Sequence, residues 1–385
     1  MGTAQHVPQK LGLKTRAEHF WRRVSEGLEV HQLWSQLKRD AQSSYRLYSA
    51  GMAEREAGQP PLQRAWYIVR TLFWAIIEKL SPARRVLLLI GLLLAFIPSG
   101  SCEYRNNAGQ NVSFDLDLHF WGAALIFIVL LLELADRVVM KRDLEIAKDI
   151  QSWLLPGVPL QLPGYALAYA TRPANTVAGD YYDVILRPGA TREEDRVLLV
   201  VADVAGKSIP AAMLMATFQA SLRTLAASPA PLGQLLAQLN QYACSNSQGG
   251  ARFTTAFLAE LDPATGEISY VNAGHNVPIL RRSSGVIERP DVGGLPIGVM
   301  ASATYEVGTA RLGNGDWLVI FTDGAVEALN ANGDEYGEPE LIRLIDRGSG
   351  LTPADLLKNL LAGLDWFVGS TPQHDDMTCL LLKRT

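Results

Sequence analysis

Cysteine is scarce in this chain: three in 385 residues, Cys102, Cys244 and Cys379, far apart and without the short spacings of a metal site. That excludes a disulfide framework and a thiolate metal centre as organising features. Cys379 lies inside an apolar run and reads as a small core residue. Long hydrophobic runs are also missing. Two uncharged apolar stretches, 86–98 and 120–132, have 13 residues each, short of the ~20 that span hydrocarbon comfortably. The first residues, MGTAQHVPQKLGLK, hold no apolar segment of the secretory type, so no such signal is expected. No nucleic-acid reader motif accompanies the basic residues, so no nucleic-acid partner is expected. Internal repeats and low-complexity tracts are absent.

Charge is present but unevenly placed. Residues 1–85 hold 14 Lys and Arg against 7 Asp and Glu, and the remainder holds 21 against 32. A basic front suits an anionic membrane surface, and an acidic back suits metal ions. Arg84 and Arg85 precede the first apolar stretch, Arg137, Lys141 and Arg142 follow the second, and the 102–119 loop between them has only Arg105 among Lys and Arg. With Tyr104 and Trp121 near the ends, this predicts a transmembrane helical hairpin over 82–136. The expected topology is a multi-pass inner-membrane protein with both termini and the domain that follows the hairpin in the cytoplasm; buried core helices are the competing reading. Residues 1–81 read as an N-terminal cytoplasmic helical region without assigned chemistry. Within it, 65–80 suits a helix at a membrane surface or one packed on a neighbour equally well.

Residues 133–155 run without Gly or Pro and stop at Pro156 and Gly157, which predicts a helix with a linker over 137–157. Val139, Ile146, Ile150 and Trp153 form a stripe with heptad-like steps. It would join two copies in a homodimer or pack on the domain that follows. From 158 to 385 the pattern turns to strands, with helices after Pro210, Pro231, Gly337 and Pro353. Strands in groups and helices in groups predict an α+β layered domain.

Four strand ends in this region carry an acid. Asp180 begins one apolar run, Asp203 ends the next, Asp323 ends a third and Asp375 begins the last. A single such Asp is ordinarily a turn residue bonding its own backbone. Four against buried-looking runs suggest a cluster, in which carboxylates ~4 Å apart repel by roughly 4 kcal/mol per pair. Divalent cations remove that cost, and an all-oxygen set favours Mg2+ or Mn2+ over zinc.

The ordered motifs EIAKDIQSWLLP, RPANTVAGDYYD, VADVAGKSIPAAMLM, FTTAFLAELD, YVNAGHNVPIL, GLPIGV, FTDGAVEA with GDEYG, and HDDMT closely resemble the metal-dependent PPM (PP2C-like) serine/threonine phosphatases. The likeness is to their bacterial SpoIIE/RsbU-type branch, over about residues 143–385. The resemblance implies a PP2C-like αββα sandwich with two Mn2+ or Mg2+ ions at one end of its sheets. It implies Asp180, Asp203, Asp323 and Asp375 as catalytic metal ligands, with the Val204 carbonyl as a backbone ligand and Asp376 as a further ligand or neighbour. The implied reaction is hydrolysis of a phosphoprotein by a metal-activated water. The expected substrate is an anti-anti-sigma (STAS) type regulator in sigma-factor signalling. AGD replaces the usual GGD, and ADVAGKS replaces the usual GDVSGKG. His275 is a candidate proton donor but reads more readily as structural, and Lys207 reads as solvated. A non-catalytic module that sequesters a signalling partner is the competing function; intact acids at all four strand ends argue against it.

Overall fold

The computed structural model describes residues 70, 73–74, 77–98, 100–105, 111–157, 159–189, 191, 195–246 and 252–385. Most of the expected N-terminal region over 1–81, including most of the 65–80 segment, lies outside the described residues. The chain divides into two units, Met1–Ala135 and Asp136–Thr385.

In the first unit, helix α1 (Pro82–Phe96) opens on Pro82, whose missing N–H has no helical partner to lose at that position. Strands β1 (Gly100–Arg105) and β2 (Asn111–Leu116) follow as an antiparallel pair, where the sequence suggested only a loop. Extended residues such as Tyr104, Val112 and Phe114 account for this local preference. Helix α2 (Leu118–Leu154) then begins. It crosses α1 at two glycines: a Cβ on Gly122 would stand 2.7 Å from the Gly91 carbonyl oxygen and from the Ala95 nitrogen. Arg84 and Glu133 form an ion pair across the same two helices at 3.3 Å. Leu93, Phe96, Phe120, Phe127 and Leu130 are exposed.

Among the described residues no helix is long and apolar enough to cross a membrane. Helix α1 has 15 residues, about 22 Å at the helical rise, against ~30 Å of hydrocarbon. The uncharged part of α2 stops at Glu133. The expected transmembrane hairpin is therefore not supported, although a helical pair does form there. The residues expected as a linker helix over 137–157 form the second half of one 37-residue helix that ends at Leu154.

The second unit contains a four-layer α+β sandwich. Its strands and helices are β3 (Tyr165–Arg172), β4 (Tyr181–Arg187), β5 (Arg196–Val204), α3 (Ile209–Ala226), α4 (Leu232–Asn246), β6 (Thr254–Leu261), β7 (Glu267–Ala273), β8 (Ile279–Arg281), β9 (Ile287–Glu288), β10 (Gly293–Gly294), β11 (Gly308–Arg311), β12 (Trp317–Phe321), α5 (Glu338–Arg347), α6 (Pro353–Val368) and β13 (Met377–Arg384). One sheet has the order β10-β7-β6-β5-β4, with β11 also on β7, and the other has β3-β13-β12-β8-β9.

Alternation along the strands builds the layers. In β5, Val197, Leu199 and Val201 enter the core between the sheets, together with Leu318 and Ile320 of β12 and Leu380 and Leu382 of β13. The other parity, Leu198, Val200 and Ala202, meets Met215, Phe218 and Leu222 of α3 and Leu235, Leu236 and Leu239 of α4. On the far side, Trp317, Val319 and Phe321 meet Leu341 and Ile345 of α5 and Leu356 and Leu360 of α6. The αββα order expected from the sequence is thus present.

Candidate metal centre

The acids stand where the inter-sheet layer reaches one end of the strands. Asp203 is the next member of the Val197, Leu199, Val201 series in β5, so its position falls on the inter-sheet face. Thr322 continues the Leu318 and Ile320 series beyond β12, and Thr378 in β13 and Asp376 just before it extend the Leu380 and Leu382 series backwards. Asp180 immediately precedes β4, Asp323 opens a 3-10 turn after β12, and Asp375 stands just before β13.

Hydrogen bonds tie the two sheets together here. The Thr322 hydroxyl donates to Asp180 Oδ2 at 2.8 Å and accepts from the Thr378 N–H at 2.8 Å. Asp376 accepts the Ala174 N–H at 2.7 Å and the Gly179 N–H at 2.6 Å. A carboxylate from one sheet therefore orders the turn that carries an acid of the other. Two glycines allow the close approach. A Cβ on Gly324 would stand 2.1 Å from the Asp376 carbonyl oxygen, and one on Gly179 would stand 3.1 Å from the Val204 carbonyl oxygen. Ala178 is nearly fully buried, which explains why AGD, small for small, leaves the turn intact.

Electrostatics mark the same group. Burial first, and then the Asp203 charge, hold Asp180 well above the usual carboxylate range. Burial and the charges of Asp323, Asp375 and Asp376 push Asp203 up to about 7, with Lys207 pulling the other way. Burial and then Asp375 raise Asp323. The acids thus act on one another across both sheets. Among the described residues no three His, Cys, Asp or Glu side chains form a ready cation cage; the carboxylates are spread along the sheet ends. The donor set nevertheless fits hard cations in kind: all oxygen, partly buried and mutually repelling. The buried Val204 backbone lies beside Asp203.

Two neighbours differ from expectation or clarify it. Lys207, expected to be solvated, is exposed and in addition donates to Asp375 Oδ2 at 2.9 Å and to the His374 carbonyl at 2.7 Å, because the acids attract the nearest cation. His275 is buried and contacts the Thr255 hydroxyl at 3.1 Å. Burial lowers it to about 4, so it is neutral near pH 7, in keeping with a structural role. Asp183, the second acid of AGDYYD, is an anchor. It is fully buried and takes two hydrogen bonds from Arg223 of α3, at 2.7 and 2.9 Å, and one from the Tyr181 hydroxyl.

Sequence reasoning missed Thr322, Thr378 and Gln151. For the two threonines the signal was available in strand parity, since each continues an apolar series. Gln151 reads as a surface helix residue, yet it is buried: its amide nitrogen donates to the Ala178 carbonyl at 2.7 Å and its oxygen accepts the Ala178 N–H at 2.9 Å.

The family model for Stage II sporulation protein E (SpoIIE) matches residues 193–385, half of the chain, including Asp203, Asp323, Asp375 and Asp376. The chain belongs to the SpoIIE family. This is the branch of PP2C-type serine/threonine phosphatases that the motifs resemble. The SpoIIE-family chain is 25% identical over 322 residues to Protein IcfG of Synechocystis sp., covering 75% of this chain and 49% of that protein. It is 26% identical over 246 residues to the phosphoserine phosphatase RsbU of Bacillus subtilis, covering 64% of this chain and 71% of RsbU. It thus spans about half the length of IcfG. Among solved structures, the SiaA-PP2C domain of Pseudomonas aeruginosa superposes with a TM-score of 0.56 at 21% identity, over 65% of this chain and 98% of that domain. That likeness supports the PP2C-like fold.

Proposed function

We propose that this SpoIIE-family chain is a metal-dependent phosphatase that removes phosphate from serine or threonine of a partner protein. The observation that carries the reading is the set of carboxylates drawn from both sheets to one end of the sandwich, raised first by burial and then by one another. Asp180, Asp203, Asp323, Asp375 and Asp376, with the Val204 carbonyl, would hold two Mn2+ or Mg2+ ions. Such ions would supply Lewis acidity toward the phosphoryl oxygens and a water of lowered pKa. The chain's own groups provide the frame. Thr322 holds the Asp180 carboxylate, Asp376 orders the 174–179 turn, and Lys207 brings a positive charge beside Asp375. A cleft of about 500 Å³ opens beside Asp375, lined in part by Arg172, Glu327 and Gln373, and is the natural entrance for a phosphorylated segment.

An anti-anti-sigma (STAS) type phosphoprotein is the substrate that the resemblance of the motifs to the SpoIIE/RsbU-type branch favours, and the name of the similar phosphoserine phosphatase RsbU supports phosphoserine as the group removed. The exposed apolar side chains of α1 and the first half of α2 would lie against a membrane surface and attach the chain there. The exposed stripe of Val139, Ile146, Ile150 and Trp153 would join α2 to a second copy.

The direct test is hydrolysis of a phosphoserine protein by the full chain with Mn2+, beside Asp203→Asn and Asp323→Asn. Turnover by wild type that chelator abolishes, with both variants below one hundredth of it, is expected. A folded wild type that stays silent with Mn2+ and Mg2+ but retains the phosphoprotein would replace this reading with the sequestering module.

A further inference from the structure

Lys207 stands on the loop between β5 and α3, and both of its chain neighbours have positive φ, 118° at Gly206 and 65° at Ser208. A non-glycine residue in that region is strained and persists only where the surrounding fold holds it. From this loop of one sheet the Lys207 ammonium reaches the other, donating to Asp375 Oδ2 at 2.9 Å and to the His374 carbonyl at 2.7 Å. Its charge also lowers the proton affinity of Asp203 and of Asp323, against the burial that raises both. His374 and Asp375 line the cleft of about 500 Å³, so the ammonium stands where the cleft meets the acids.

A phosphoryl dianion that enters there approaches carboxylates, which repel it. Arg172, the arginine of the cleft, is committed elsewhere: both of its terminal nitrogens hold Asp365. Lys207 has charge, reach and a donor to spare. Its side chain is 55% exposed, its four-carbon stem is flexible, and two of its three N–H donors are taken, which leaves the third for an incoming oxygen. We propose that Lys207 is a substrate-binding residue whose ammonium donates to a non-bridging oxygen of the phosphoryl group as that group reaches the acidic centre. It supplies a point charge and a hydrogen bond, and no proton is transferred. The inference rests on the phosphatase reading and names the side chain that takes hold of phosphate in that site.

The test uses the full chain with Lys207→Met, which keeps the stem and removes the charge, and Lys207→Arg, which keeps the charge. Lys358→Met, on the exposed face of α6, removes one positive charge elsewhere. Three quantities are read: affinity for inorganic phosphate by calorimetric titration with Mg2+ present, affinity for Mn2+ by the same method, and kcat and KM for p-nitrophenyl phosphate with Mn2+. In Lys207→Met, phosphate affinity is expected to weaken about ten-fold or more, as for loss of a hydrogen bond to a charged group. KM rises by a larger factor than kcat falls, and Mn2+ affinity equals or exceeds that of wild type, since no ammonium competes for Asp375. Lys207→Arg is expected to stay within about three-fold of wild-type phosphate affinity, and Lys358→Met to match wild type throughout. Wild-type phosphate affinity in Lys207→Met, beside a wild type that turns over, overturns this inference alone. An equal loss of Mn2+ affinity in Lys207→Met also overturns it, because Lys207 would then order the acids rather than hold phosphate. An equal loss of phosphate affinity in Lys358→Met reduces the effect to net charge and overturns it as well. A folded wild type that binds neither Mn2+ nor phosphate overturns the phosphatase reading itself, and this inference with it.

Discussion

Asp203 carries two opposed demands, a carboxylate available to a cation and a place inside the fold. Its proton affinity is raised to about 7 in the native state, against an ordinary value near 3.9 in an unfolded chain. Between about pH 4 and pH 7 the native state therefore binds more protons than the unfolded one, and this group's contribution to stability falls as pH rises through that window. His275 acts in the other sense. It is lowered to about 4, so its contribution is lost as pH falls from about 6.5 toward 4. Comparing wild type with Asp203→Asn cancels the histidine. In chelator, Asp203→Asn is expected to melt higher than wild type at pH 7.5 and at nearly the same temperature at pH 4; equal melting at both values would remove the raised-carboxylate account. Thr322 offers a second residue-scale check. Thr322→Val leaves a buried acceptor on Asp180 and the Thr378 N–H unpaired, which costs about 1–3 kcal/mol by denaturant titration, and Thr322→Ser is expected to recover most of it. Ser208 supplies a third. It takes the place of the family's glycine and has φ of 65° with ψ of −147°, a region nearly reserved for glycine. Ser208→Gly is expected to stabilise by about 1 kcal/mol in thermal melts.

Helix α2 links the two halves of the sequence, and its two faces have different fates. The stripe of Val139, Ile146, Ile150 and Trp153 was legible as apolar heptad steps, but the sequence left open whether it packed on the domain or on another copy. Residues Leu144, Ala147, Gln151 and Leu154 take the domain contact instead, and the stripe stays exposed. Trp153→Glu with Ile146→Glu is therefore expected to convert a dimer to a monomer in sedimentation experiments and to leave the far-ultraviolet spectrum of the domain unchanged. A wild-type monomer at tens of micromolar would remove the dimer proposal. The β1–β2 pair shows the limit of local reading in another way: charge counts along 102–119 described topology, whereas the backbone pairing depended on two short segments meeting in register.

For the whole molecule, the exposed apolar residues of α1 and α2 imply a surface that water alone does not explain. Flotation with anionic lipid vesicles is expected to carry the full chain, and charged substitutions at Leu93 and Phe127 are expected to release it. Failure of wild type to float would leave that surface to a protein partner. The sandwich domain was far more legible than this region. Its helices begin at or beside the expected Pro210, Pro231, Gly337 and Pro353, its core parity follows the strand alternation, and four acids announce themselves at strand ends.

Identity of the acids, the α+β class and the helix starts follow from the sequence itself, because burial periodicity and backbone restrictions at Pro and Gly act over a few residues; the layer order was implied by the family resemblance. What only the tertiary structure decided is which groups act on those acids. Thr322 meets Asp180 across 142 positions of sequence, Asp376 meets Gly179 across 197, and Gln151 reaches Ala178 from a helix that reads as a linker. Such contacts arise where two sheets and a helix end converge. Their physical cause is the need of buried polar groups for partners, a demand that residue type announces but that only the packed chain can meet.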